Sequence, residues 1–227
     1  MEITWYGRSC MRFRGKDAVV VADAYPAIVG PTGRGITGDI ASFSHPDDTP
    51  LPRARGAHPR TANAGATTVP TSLEQAFILD GPGEYEVRNV LVTGVRTARD
   101  EKRGADRGRN IAFVYALDGL HTIHLGDIGH TLTEEKLGEI GNVDIACVPV
   151  GGALSAAKAA ELIAQLDVRI AIPMPVCEDG ICTEAIARFF HEMGAGTPTE
   201  PQAKLSLSIS SLPDEVTTVL LEARGKS

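Results

Sequence analysis

The sequence predicts an α+β fold, and three observations carry that expectation. Short apolar strands follow one another over residues 2–23, strands alternate with helices from about residue 111 to 193, and the tail at 204–221 alternates with period two. At 227 residues and 43% hydrophobic side chains, a substantial core can form, and one domain over 1–227 is expected.

Segments 2–6, 10–14 and 17–23 form a meander that ends at Asp23, on the edge of an apolar run. Residues 26–38, rich in Gly and Pro, read as a loop, and Ile40–Ser44 as a strand delivering His45. Residues 50–72 hold one large aliphatic residue, Leu51, and read as a mobile surface loop insertion. Gly81-Pro82-Gly83-Glu84 fits a type II turn leading to a hairpin of 85–87 with 90–95. Residues 96–109, with five arginines, one lysine and three acids, read as a solvated loop.

Strands follow at 111–116 and 120–125, then a short helix opened by Thr133 and a fully apolar strand at 144–150. Ser155 caps a helix with Ala159, Leu162, Ile163 and Leu166 on one face, and 169–173 returns as a strand. Thr183 is expected to cap a last helix with an Ile186, Phe189, Phe190, Met193 stripe, stopped by Gly194. The tail reads as a closing hairpin of 204–209 with 216–221.

A net charge of −7 and no clustered basic excess argue against nucleic acid as a partner. No run approaches the ~20 apolar residues of a membrane span, and residues 1–25 lack a basic start followed by an apolar core, so a soluble cytoplasmic protein is expected. Cys10, Cys147, Cys177 and Cys182 read as free thiols.

The ordered blocks Trp5-Tyr-Gly-Arg-Ser-Cys10, Ser44-His45, Gly81-Pro-Gly-Glu-Tyr-Glu-Val87, Arg107-Gly-Arg-Asn110, His124-Leu-Gly-Asp-Ile-Gly-His130, Pro149-Val-Gly-Gly152 and Ile172-Pro-Met174 resemble the metallo-β-lactamase superfamily. The resemblance is to its small single-domain branch assigned to zinc-dependent hydrolysis, related to the ascorbate-6-phosphate lactonases. It implies a four-layer αβ/βα sandwich of two mainly antiparallel sheets, with a zinc or manganese site at one edge.

Such sites use imidazole and carboxylate donors from a His-x-His-x-Asp-His run, a later His, a bridging Asp and a last His. Here His45 and Asp127 match, Asp47 substitutes for the second His, and the run's Asp and final His fall on Thr49 and Pro50. The later His falls on Arg99, the last on Pro175, and the His of a family Gly-His-Ser start on Arg8. A residual site of His45, Asp47 and Asp127, with Asp127 or Asp47 handling the proton, is conceivable; Asp48 could enter if the alignment shifts by one.

Without metal, Asp127, Asp47 and Asp23 need a counter-charge. Arg99 is expected to fork onto Asp127 or Asp47 with Arg8 near the same edge, the alternative being that Arg99 points into solvent. His130 is expected to bond the turn backbone, while His58, His121 and His191 read as structural or surface.

Three functions follow. One is a catalytically inactive pseudo-enzyme, without cofactor, that binds a ligand or protein partner. A second is a hydrolase of an ester, lactone or phosphate with one Zn or Mn ion. The third is a module in which Arg8 and Arg99 receive a small anion; the resemblance allows a homo-oligomer, and apolar hairpin edges would permit it.

Overall fold

The computed structural model describes residues 1–46, 59–60, 67–176 and 182–224. Two sheets face each other across an apolar core. The first has the order β14-β1-β2-β3-β4-β7 and the second β15-β13-β12-β11-β10-β9-β8.

The first sheet contains β1 (Glu2–Gly7), β2 (Cys10–Arg14), β3 (Val19–Ala22), β4 (Ile40–Ser42), β7 (Phe77–Leu79) and β14 (Leu205–Ser206). The second contains β8 (Gly83–Val87), β9 (Val90–Ala98), β10 (Arg109–Leu117), β11 (Leu120–His124), β12 (Ile145–Val150), β13 (Ile170–Pro175) and β15 (Thr217–Thr218). Both are mixed: β3, β4 and β7 run parallel, as do β11, β12, β13 and β15, while the remaining neighbours are antiparallel. A separate pair joins β5 (Pro59–Arg60) to β6 (Thr67–Thr68).

Ile3, Phe13, Val20, Phe113, Tyr115, Cys147 and Met174 fill the space between the sheets. Helices α2 (Glu134–Ile140), α3 (Ala156–Leu166) and α4 (Thr183–Glu192) bury their stripes on the outer face of the second sheet. Val29 of α1 (Pro26–Val29), Tyr25, Ile36, Val69 and Leu73 cover the outer face of the first. This is the four-layer arrangement. Unbroken apolar strand β12, buried at every position, sits where both of its faces are covered.

Several local expectations are corrected. Residues 26–38 include α1 and a 3-10 turn at Gly33–Gly35 rather than loop alone, because Pro26 at the first helical turn is pre-set for a helix. In the 50–72 stretch, a 3-10 turn begins at Thr71, and Val69 and Leu73 are buried; residues 50–58 and 61–66 lie outside the described residues. At Gly81–Glu84 the chain bends without a regular turn: Gly83 already pairs with Gly94, and the Tyr85 hydroxyl closes the bend on the Gly81 carbonyl at 3.1 Å. Cys182, not Thr183, stands at the α4 N-cap.

The tail is not a hairpin. β14 pairs with β1 and β15 with β13, so the two halves extend opposite sheets. Period-two alternation specifies an extended strand with one buried face, not its partner. Here Leu207, Val219 and Leu221 turn into the shared core and tie the two layers together.

Cys10 and Cys147 are buried free thiols, each pushed up by burial. Cys182 is disulfide-bonded, against the free-thiol expectation, and Cys177 lies outside the described residues. The described residues contain no helix long and apolar enough to cross a membrane.

Strand direction places the site. β3 and β4 end at one edge just before Asp23 and His45, and β11 ends just before Asp127. β9, two antiparallel steps from β11, runs the same way and ends before Arg99. Carboxyl ends of strands, where backbone turns leave side chains uncovered, thus converge on one region.

Candidate functional site

Asp127 is held by a glycine turn that only glycine can make. Gly126 has φ +63°, and a Cβ there would lie 2.4 Å from Ser44 Cβ and 2.5 Å from Asn110 Oδ1. The turn therefore docks on β4's end and on β10. Buried Asn110 accepts the Asp127 N–H at 3.0 Å and donates through Nδ2 to Thr97 Oγ1 at 2.7 Å and the Leu125 carbonyl at 2.9 Å. On the far side, Gly152 leaves room: its Cβ position is 3.5 Å from Asp127 Oδ1.

Arg99 lies directly on this carboxylate. Its Nε is 2.8 Å and its Nη2 2.7 Å from Asp127 Oδ2, with the two residues 6% and 8% exposed. Both donors meet one oxygen, so the pair is double but not a two-oxygen fork. Arg107 adds a second guanidinium, its Nη2 3.6 Å from the same oxygen, and its carbonyl accepts Arg99 Nη1 at 3.3 Å.

The loop carrying these arginines is not merely solvated. Asp100 Oδ1 accepts the N–H groups of Lys102 and Gly104, each at 2.8 Å, and Oδ2 those of Arg107 at 2.7 Å and Asp106 at 3.1 Å. These four bonds, Arg107's the strongest, hold the Asp100 carboxyl below its ordinary range. Charge content suggested solvent; one inward-facing acid instead folds the loop.

A second buried network lies behind the first. Asp23, at φ +52°, is fully buried; its Oδ1 accepts Ser44 N–H at 2.7 Å and its Oδ2 accepts the Ser44 hydroxyl at 2.7 Å. Ser44 Oγ also lies 2.7 Å from His45 Nδ1. With the hydroxyl hydrogen given to Asp23, Nδ1 is the donor, which assigns the His45 tautomer. Tyr25 Oη donates to the His45 carbonyl at 2.5 Å and accepts its N–H at 3.1 Å; burial, then Asp23, push this phenol up.

His124 is fully buried, donates through Nε2 to the Ser9 carbonyl at 2.8 Å, and has no partner for Nδ1 among the described residues. Burial pushes its pKa down, so the ring is neutral.

The expected site residues thus fall into groups. Asp127 and Arg99 meet, Asp23 and His45 are joined through Ser44, and Asp47 and Asp48 lie outside the described residues. Arg8 is exposed, and its carbonyl accepts Trp5 Nε1–H at 2.7 Å; its guanidinium makes no ion pair among the described residues. His130 Nε2 accepts the Ala98 N–H at 3.1 Å, and Nδ1 donates to the Thr131 carbonyl at 2.6 Å. It is a backbone brace for the end of β9. Sequence reasoning missed Arg107, Asn110 and Ser44 as site residues, although all three stand in the blocks quoted above.

The described side chains do not by themselves make up a catalytic metal site. Zinc or manganese in such a site needs about three protein donors, and no group of three or more His, Cys, Asp or Glu among the described residues could hold an ion. Asp127 Oδ2 is already taken by two guanidinium N–H groups, and Pro175, ending β13, offers no side-chain donor. What the arrangement offers is positive charge set over a neutralised carboxylate.

Residues 2–175 match the family described as the β-lactamase superfamily domain. A UPF0173 metal-dependent hydrolase from Methanospirillum hungatei is 27% identical over 168 residues, spanning 67% of this chain and 71% of that protein. Among solved structures, a metallo-β-lactamase superfamily protein from Thermotoga maritima is 26% identical, with TM-score 0.66 and coverage of 97% of this chain and 98% of that one. A metallo hydrolase from Ignicoccus hospitalis shares the fold at 12% identity, TM-score 0.57, covering 91% and 99%. With a family match over most of its length and the two-sheet sandwich on which Asp127 stands, this chain belongs to the β-lactamase superfamily domain family and has the metallo-β-lactamase fold.

Proposed function

We propose that this protein is a catalytically inactive, ligand- or partner-binding member of a metal-dependent hydrolase family, working in the cytoplasm. The observation that carries the reading is the buried Arg99–Asp127 pair, with both guanidinium contacts under 3 Å. A cation binding Asp127 would have to displace a positive charge already bonded there, and would take from buried Arg99 its two contacts to that carboxylate. The relatives' metal-dependent hydrolysis describes the family's chemistry; fold alone does not carry it to each member.

The test is metal analysis of the full chain purified with zinc and with manganese present, beside Asp127→Ala and Arg99→His. Metal well below one ion per chain in the unaltered protein, with no dependence on Asp127, is expected. One ion per chain, lost in Asp127→Ala together with hydrolysis of an ester, lactone or phosphate ester, would establish the alternative of an active hydrolase.

A further inference from the structure

We propose that Arg107 is the residue through which this site takes an anionic ligand, a carboxylate or phosphate group; this rests on the reading of the site as metal-free. Three observations converge on Arg107 rather than on the other cations nearby.

The first is its unsaturated hydrogen-bonding capacity. Asp127 Oδ2 already accepts two N–H groups of Arg99, at 2.8 and 2.7 Å, and Arg107 Nη2 stands 3.6 Å away, beyond hydrogen-bond range. The guanidinium donates no hydrogen bond among the described residues, and 38% of the side chain is exposed. Five N–H donors in a planar fork are thus held beside the carboxylate without hydrogen-bonding to it.

The second is positioning. Arg107's N–H is bonded to Asp100 Oδ2 at 2.7 Å, and its carbonyl is held by Arg99 Nη1 at 3.3 Å. Its backbone is fixed on both sides, so less freedom is lost when a ligand arrives. Lys102 on the same loop is paired with Asp106 at 2.8 Å, and Arg103 is exposed without such backbone ties to the site.

The third is charge. Among the described residues, the guanidinium groups of Arg99 and Arg107 both stand at Asp127 Oδ2, and Arg99 holds it through the two shorter contacts. The Arg107 guanidinium, within ion-pair range of that oxygen but not hydrogen-bonded to it, is 38% exposed, an arrangement open to a planar oxyanion bound through two N–H groups. If Arg107 only screened Asp127, a direct hydrogen bond to the carboxylate would serve better than a contact at 3.6 Å.

The test is calorimetric titration of the full chain with inorganic phosphate and, separately, acetate, with potassium chloride matching the ionic strength. Saturable binding of at least one anion is expected in the unaltered protein and in Arg103→Gln, and the stronger arm identifies the headgroup. Arg107→Gln is expected to raise the dissociation constant about tenfold or more, the loss of one charge-assisted contact. Should Arg107→Gln not fold, the Arg107 side-chain Nε–H resonance of labelled unaltered protein must move with phosphate. No saturable binding of either anion, equal binding by Arg107→Gln, or a stationary Arg107 resonance overturns the proposal. Failure of anion binding in metal-free protein leaves the pseudo-enzyme reading standing; stoichiometric metal whose chelation abolishes phosphate binding removes both.

Discussion

Arg99 and Asp127 share one carboxylate oxygen: Nε and Nη2 both approach Asp127 Oδ2, at 2.8 and 2.7 Å, with each side chain about nine-tenths buried. A charge at this depth is tolerated only with its partner. Arg99→Met is therefore expected to destabilise by about 3 kcal/mol, because Asp127 is left buried with only the 3.6 Å contact to Arg107. The double variant Arg99→Met/Asp127→Leu, which removes both charges, should recover most of that loss. Urea denaturation of both variants decides the matter; equal destabilisation would mean the pair itself, rather than the orphaned charge, carries the energy.

The loop that delivers both arginines has a pH dependence set by Asp100. Four backbone N–H groups, Arg107's first, hold its folded pKa below the ordinary value of 3.8. The folded state then binds fewer protons than the unfolded one in that interval, so the contribution is fully present above pH 3.8 and is lost as pH falls through the lower folded value. Asp100→Asn should be less stable than the unaltered protein at neutral pH, and the gap should shrink in acid. Denaturation at pH 7 and at about pH 3 measures it; a gap independent of pH would remove Asp100 as the cause.

His130 braces the strand end from which Arg99 departs. Its Nε2 accepts the Ala98 N–H at 3.1 Å and its Nδ1 donates to the Thr131 carbonyl at 2.6 Å. Replacing it with alanine leaves two backbone groups without partners, at a cost of about 2 kcal/mol. Faster hydrogen exchange at the Ala98 amide is the local readout, and unchanged exchange there would show that the ring is not holding the strand.

Layers and strand-end residues were legible in the sequence because they follow from periodicity: β12 as an apolar run, α3 as a stripe capped by Ser155, Asp127 in a glycine turn at the end of a strand. The tail was misread because alternation does not name a partner, and the two edges it serves, β1 and β13, are far apart in sequence. Within the site, a contact of Arg99 with Asp127, which the two do make, was expected from the sequence. That Arg107 rather than Arg8 stands beside it was not: inward direction depends on Asp100 gathering four amides, a three-dimensional fact with no periodic trace.

The glycine at 126 is the sharpest local test of how the site is assembled. An alanine Cβ would sit 2.4 Å from Ser44 Cβ, on a backbone at φ +63°. Ser44 cannot withdraw, since its N–H and hydroxyl are both bonded to buried Asp23, each at 2.7 Å. Gly126→Ala is thus expected to cost roughly 3 kcal/mol from combined overpacking and strain. Gly138 in α2 is the control: beyond its own stretch of helix backbone nothing lies within 4 Å of its Cβ position, so alanine there should stabilise by about 0.5–1 kcal/mol through helix propensity. If both substitutions prove neutral, the turn has slack, and the close docking of Asp127's loop onto the His45 strand end is not what fixes the carboxylate beneath Arg99.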